Sequence, residues 1–335
     1  MTLRSRHADI MAEDRARRAL AQSGFDGSGI LERADSTRNE VFLSERHVVR
    51  VNQTLDRRLR REAAIYQLLP SAHWAPRLLA TGGDSGRDYI VLHRHPGAPL
   101  SRWWPELADT QRRRCISGLA AAMTAIHHCG VTAEFAPPQN PPHSLVPGSQ
   151  RPLDLLRSRL EELSELDHVD GLMLVTVADA LAAADPMVTP AAVPHGLVHG
   201  DLTFENVITS SEGLEAVIDF EWARYGPVDL DLDIIFRFAC YPHLHVPPHV
   251  GGRYSPTDFW PAMDWLLSDL SHITCVPHLR PRLELYALSF EVARVLEMPP
   301  NDSIHNLDHD HPYRRLVSLV DGVSRLHRLL DALQI

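Results

Sequence analysis

The stretch Val198-His199-Gly200-Asp201-Leu202-Thr203-Phe204-Glu205-Asn206-Val207, followed by Val217-Ile218-Asp219-Phe220-Glu221, is the part of this chain best supplied for chemistry. Asp201 stands five residues before Asn206, and Asp219 follows after a span short enough for a hairpin. An aspartate in the first position accepts or orients the proton of an attacking hydroxyl. An asparagine amide oxygen and a second carboxylate then offer hard oxygen ligands to magnesium ions that bridge nucleotide phosphates. Alone, an Asp-x-x-x-x-Asn spacing is ordinarily a cap or a turn; the strand-borne aspartate behind it turns the reading toward phosphoryl transfer. The three side chains must converge, so the rest of the chain has to supply elements that bring them together.

Two other groups of residues could do chemistry. His243, His245 and His249, with His305, His309 and His311 beside Asp302, Asp308 and Asp310, offer nitrogen and oxygen donors. They match no tight zinc spacing in a chain with 20 histidines, so a polar surface or a loop beside a substrate is the plainer reading. The tryptophans Trp103, Trp104, Trp260 and Trp265 read as core or lid packing rather than a stacking platform.

Composition narrows the partners. The chain has 335 residues, 44% of them apolar and 23% charged, which suits an ordinary globular protein of two lobes or two small domains. All 33 basic residues are arginine, and the net charge is -10. Nucleic acid is therefore not expected as a partner, since binding phosphate backbones needs clustered basic charge. The acidic balance favours a cationic substrate, or simply solubility. Cys115, Cys129, Cys240 and Cys275 lie far apart and read as reduced, buried thiols. No apolar run reads as a signal peptide or a membrane span, and a cytoplasmic location is the expectation.

The elements that would position the chemistry can be read from periodicity. Residues 8–22 form an amphipathic helix, and Ile30–Ala34, Glu40–Leu43 and His47–Val51 alternate as short strands. A charged helix over Asp56–Leu69 and two more strands, Arg77–Thr81 and Asp88–Leu92, complete a five-stranded antiparallel sheet with one helix. Beyond Pro99 the pattern is mainly helical: 107–128, 153–166, 172–184, 229–238, 258–272, 281–298 and 313–333. The segment 135–152, with six prolines, reads as a loop.

This order of elements resembles the aminoglycoside phosphotransferase family, which has a bilobal protein-kinase-like fold, over roughly residues 25–300. The resemblance implies an α+β chain with a nucleotide-binding lobe and interlobe linker at 1–97 and a catalytic and acceptor-binding lobe at 98–335. It assigns Asp201 as the catalytic aspartate, Asn206 and Asp219 as magnesium ligands, and Asp231 and His199 as supports of the catalytic loop. Arg50 takes the place of the phosphate-binding lysine and Glu62 that of its helix partner. The turn Asp35-Ser36-Thr37-Arg38-Asn39 stands in for a glycine-rich loop, with Ser36, Thr37 and Asn39 as phosphate contacts. Backbone groups of His93 and His95 would meet a purine edge.

The function so implied is magnesium-dependent transfer of the γ-phosphoryl group of ATP or GTP to a hydroxyl of a small polar molecule, an antibiotic in the first instance. A metabolic kinase for an amino alcohol, sugar or homoserine-like acceptor is the alternative, and an inactive nucleotide-binding module the other. Asp258, Asp264, Glu291 and Asp302 are the expected acceptor contacts, from the acidic balance of that half and the family's acceptor position.

Overall fold

Strand alternation decides which side chains of the first lobe reach the cleft. The computed structural model describes residues 3–34, 36, 39–54, 56–84, 87–135, 153–189, 191–255 and 257–335. It opens with α1 (Leu3–Gln22), β1 (Glu32–Ala34), β2 (Glu40–Leu43), β3 (His47–Val51), α2 (Arg58–Leu68), β4 (Leu78–Gly82) and β5 (Tyr89–His93). The strands form one antiparallel sheet in the order β1-β2-β3-β5-β4. Odd residues of β3 and β5, Val49, Val51, Tyr89 and Val91, pack with Ala12, Ala16, Ala19 and Leu20 of α1 in one small core. Even residues Ile90 and Leu92 join Leu59, Ala63, Ile65 and Tyr66 of α2 in the main core, and Arg50 shares that face. The sheet is thus covered by a helix on each face; the sequence reading gave it only α2.

The chain leaves this lobe through β6 (Ala98–Pro99) and the single turn α3 (Leu100–Trp103). At Gly97 φ is +98°, and a Cβ there would collide with the Thr209 carbonyl oxygen, so only glycine lets the crossing chain pass so close to β8. There follow α4 (Asp109–His127), α5 (Asp154–Ser164), α6 (Gly171–Ala184), β7 (His195–Val198), β8 (Val207–Ser210), β9 (Gly213–Val217) and β10 (Arg224–Pro227). The remaining helices are α7 (Leu230–Cys240), α8 (Pro248–Gly251), α9 (Trp260–Asp269), α10 (Ser271–Thr274), α11 (Leu279–Glu297), α12 (Pro312–Val320) and α13 (Arg325–Ala332). Strands β6, β8 and β9 form one antiparallel sheet, and β7 pairs with β10.

Helix α7 is buried along its whole length, Asp231, Asp233 and Arg237 included. A helix enclosed on all sides is a rigid post, and its polar residues must find partners inside the protein. The expected single helix over 313–333 is two helices, because the Ser324 hydroxyl accepts from the His327 amide (3.2 Å) and starts α13 afresh. Cys275 is exposed, unlike the buried thiols expected, while Cys115 and Cys240 are buried and Cys129 is half-buried. Residues 136–152 of the proline-rich segment lie outside the described residues, as do Asp35, Thr37 and Arg38. Among the described residues no helix is long and apolar enough to cross a membrane.

Candidate active site

The loop that carries Asp201 and Asn206 is the turn between β7 and β8, and Asp231 holds it. Asp231, at the start of α7, accepts from the amides of His199 (2.9 Å) and Gly200 (3.0 Å) and from His127 Nε2 (3.1 Å). Burial pushes the Asp231 carboxyl up, but the hydrogen bond from His127, the neighbouring His199 and the backbone donors outweigh it. Its pKa therefore ends below the ordinary value, and the group stays ionised. At Gly200 φ is +82° and a Cβ would collide with the Trp222 carbonyl oxygen, so the turn into Asp201 admits no side chain. His199 closes the loop from above: its Nε2 meets the Ile218 carbonyl (2.8 Å), and its ring packs on Phe220 (centroids 4.5 Å apart). His127, at the end of α4, was not foreseen from the sequence. Only its place at a helix C-terminus marked it there.

Asp201 and Asn206 face each other across the loop. Asn206 Nδ2 donates to the Asp201 carbonyl (2.8 Å) and to its carboxylate Oδ2 (3.3 Å), which turns Asn206 Oδ1 away from this pair as an acceptor. The Asn206 carbonyl accepts from the Ile218 amide (2.9 Å), tying the loop to the residue before Asp219. Burial raises the Asp201 carboxyl to about 7, helped by the Asp219 charge and opposed by Arg237. A carboxyl poised near neutrality suits a group that takes a proton from a hydroxyl.

Asp219 sits in the left-handed region (φ 66°, ψ 64°), a conformation uncommon for a residue with a Cβ and tolerated best by Asp and Asn. Its Oδ1 accepts from Arg50 Nη2 (2.9 Å), and among the described residues its Oδ2 has no partner. Arg50 Nη1 donates to Glu62, which also accepts from the Tyr66 hydroxyl (2.5 Å). Burial pushes the Glu62 carboxyl up while Arg50 pulls it down. Glu221 lies 3.8 Å from Arg50 and accepts from Asn39 Nδ2 (3.3 Å), so the end of the turn before β2 is fastened to the segment just after Asp219. Among the described residues Asn206 Oδ1 and Asp219 Oδ2 are hard oxygens without a protein donor, a donor set that fits magnesium.

The remaining expected residues lie as follows. Ser36 is exposed, and Thr37 lies outside the described residues. The His93 amide is committed to the Arg77 carbonyl (3.0 Å) as part of the β-pairing, so it is not free for a base edge; the half-buried His95 follows it. Glu291 is not open to an acceptor: it is buried, and its two oxygens take Arg315 Nε and Nη2 at 2.8 Å each. Asp258, Asp264 and Asp302 are exposed. Asp258 caps its own turn through the Ser255 amide (2.7 Å), and Asp302 does the same through Ser303 (2.6 Å). Among the described residues no hydrogen bond or ion pair joins these four acids to Asp201, Asn206 or Asp219. The histidine-rich loops converge on Asp310, which accepts from His243 (2.8 Å) and lies 3.4 Å from His309.

Arg224 on β10 is the residue that sequence reading missed most completely. It is 1% exposed, yet among the described residues none of its three guanidinium nitrogens has a hydrogen-bond partner. Burial lowers its pKa to about 10, with Asp231 opposing and Arg61 and Arg237 adding to the fall. A buried charge without hydrogen bonds is costly. Replacing it by methionine, of similar length, should raise the thermal midpoint of the nucleotide-free protein in a scanning-calorimetry comparison. A lower midpoint would mean that the guanidinium is satisfied by ordered water.

A family model described as the phosphotransferase enzyme family (APH) matches residues 29–245, a span that contains the whole constellation from Arg50 to Asp231. The chain belongs to this family. Homoserine kinase of Beijerinckia indica subsp. indica is 28% identical over 163 residues, 48% of this chain and 45% of that kinase. Homoserine kinase of Rhodopseudomonas palustris is 25% identical over 174 residues, 49% and 45% of the two chains. The chain thus spans less than half the length of the curated relatives it matches. Among solved structures, ADP-bound aminoglycoside phosphotransferase APH(2'')-Ib superposes with a TM-score of 0.59 at 15% identity, over 89% of this chain and 94% of that one. The streptomycin–ATP ternary complex of APH(2'')-IIa gives 0.58 at 18% identity, over 89% and 93%. At such identities the likeness carries the kinase-like fold, and the APH family model carries the membership.

Proposed function

We propose that the protein transfers the γ-phosphoryl group of ATP or GTP to a hydroxyl of a small polar molecule, with magnesium. The observation that carries this reading is the meeting of Asp201 and Asn206, on one loop, with Asp219, which Arg50 of the other lobe holds while itself paired with Glu62. Magnesium, when bound by Asn206 and Asp219, supplies charge neutralisation of the phosphates. Asp201 orients the acceptor hydroxyl and takes its proton. Arg50, aligned by Glu62 and bonded to Asp219, would carry positive charge to the phosphates. Positioning and preorganised charge do the rest. Structures of family relatives with ATP, ADP and GDP support a nucleotide donor. We place the reaction in the cytoplasm, where nucleoside triphosphates are available.

Two acceptor classes have support. The fold neighbours include complexes with streptomycin, gentamicin and hygromycin B, which favours an antibiotic and a role in resistance. The sequence relatives are homoserine kinases, which favours a hydroxy amino acid or similar metabolite. Release of ADP or GDP, measured across a panel holding both classes, tests the reading. Magnesium-dependent turnover that disappears in Asp201→Asn is expected; nucleotide binding with no turnover across the panel would leave an inactive nucleotide-binding module.

Arg50 gives a separate expectation. Arg50→Ala leaves Glu62 buried without its counter-charge, which should destabilise the fold by about 3–5 kcal/mol. It should also raise KM for the nucleotide far more than KM for the acceptor. Arg50→Lys keeps the charge, though without the planar fork, and should retain stability and donor turnover. Urea unfolding beside steady-state kinetics checks both, and parental donor kinetics in Arg50→Ala would remove Arg50 from the site.

A further inference from the structure

A cavity of about 610 Å³ opens between the end of α7, the start of α9, and helices α12 and α13. Arg314, Arg315, Arg325 and Arg328 line it with Tyr241 and Trp260, and no carboxylate is among its described lining residues. In a chain of net charge -10, four guanidinium groups around one cavity are a concentration of charge against the average. Two of the four are already engaged. Arg315 is paired with Glu291, and Arg325 donates to the Cys240 carbonyl (3.1 Å) and stacks over Tyr241 (4.7 Å). Asp310 lies 3.8 Å from Arg325 but is itself bonded to His243. The other two are not neutralised: Arg314 donates only to the Leu307 carbonyl (3.2 Å), and Arg328 is exposed with no side-chain partner among the described residues. The indole Nε1 of Trp260 is a further donor, buried and without an acceptor among the described residues. Unmatched donors around a half-open pocket suit a ligand made of acceptors.

The cavity is linked to the loop that carries Asp201 through residues packed behind two of its walls. The Tyr241 amide bonds the carbonyl of Arg237 (2.9 Å), one turn earlier on α7, and Arg237 is close enough to Asp201 to lower its pKa. On the other wall, Phe259, next to Trp260, packs on Phe204 of the loop (5.5 Å between centroids). We propose that this arginine-walled pocket seats an anionic group of the acceptor, a carboxylate or a phosphate, so that the molecule phosphorylated is a small hydroxylated anion. The inference rests on the phosphotransfer reading and replaces the cationic acceptor that the overall charge suggested.

The test has two arms. In the first, citrate and inorganic phosphate are titrated by calorimetry into the nucleotide-free protein, into Arg328→Glu and into Arg314→Gln. Saturable binding that weakens on the order of tenfold in each variant is expected, the loss of one charge-assisted hydrogen bond. The preferred probe distinguishes a carboxylate from a phosphate. No saturable binding, or binding equal in all three proteins, overturns the pocket. In the second arm, turnover is compared on matched scaffolds: ribitol, ribonate and ribitol 5-phosphate, beside L-homoserine and its carboxamide. The anionic member of a pair should be preferred, and Arg328→Glu should raise its KM roughly tenfold while the KM of ATP stays put. If neutral or cationic hydroxyl compounds are phosphorylated through Asp201 with KM unmoved by Arg328→Glu, phosphotransfer stands and the anionic acceptor falls. If the probes bind and the variants abolish it, yet no compound is phosphorylated, the pocket stands and phosphotransfer falls.

Discussion

Asp201→Asn lowers kcat by about 10²–10⁴-fold and leaves magnesium-nucleotide binding nearly intact. The amide keeps the shape and the contact with Asn206, yet it neither accepts the hydroxyl proton nor carries charge. The environment of Asp201 adds a pH signature. Burial and the Asp219 charge raise the carboxyl to about 7, and the ionised form is the one that accepts a proton, so kcat/KM should fall as pH drops below about 7. A bound magnesium ion would draw the acid limb lower. Stability should move the opposite way. The folded state holds this proton up to about 7, whereas an unfolded chain releases it near 3.8, so stability is lost as pH rises through that window. Asp201→Asn removes the penalty and should raise the thermal midpoint more at pH 8 than at pH 5. A mutant less stable at both, with turnover retained, would make Asp201 a structural residue.

Asp219→Asn should fail at an earlier step. Asparagine suits the left-handed backbone at this position as well as aspartate does, so the local fold survives. What goes is a carboxylate that both pairs with Arg50 and offers a hard oxygen to the metal. Magnesium-dependent nucleotide affinity should weaken by more than about tenfold, since removing even an outer partner of a metal ligand costs 10–100-fold. Turnover should fall with it. Titrating the nucleotide with and without magnesium separates this from Asp201→Asn: here the magnesium dependence itself is lost. Unchanged magnesium dependence would take Asp219 out of the metal site.

The parts of the site that sequence made legible are those fixed by local rules. The Asp201–Asn206 spacing sits on one loop, Asp219 follows its strand, and Arg50 falls on the cleft face because strands alternate. Long-range partners were not legible in that way. His127 reaches Asp231 from 104 positions away in sequence, and its place at the end of α4 says nothing of that partner. Arg224 occupies a strand position where an apolar residue would serve, and its isolation is visible only once α7 is packed beneath it. The acids chosen as acceptor contacts came from an average charge, which says nothing about pairing. Glu291 is spent on Arg315, and the same C-terminal helices present arginines to their cavity. Helix boundaries followed similar logic: α1 was found from its apolar stripe, but which sheet face it covers is a tertiary fact.

The central claim is that Asn206 and Asp219 hold a metal on the nucleotide phosphates, with Asp201 facing the terminal one. A crystal structure with a non-hydrolysable ATP analogue and manganese in place of magnesium tests it most directly, because manganese is located by its anomalous scattering. The account predicts an anomalous peak bound by Asn206 Oδ1 and the Asp219 carboxylate, with the γ-phosphate between Arg50 and Asp201. A peak at the Asp302–Asp310 loop, or a nucleotide whose phosphates lie away from Asp219, would contradict it.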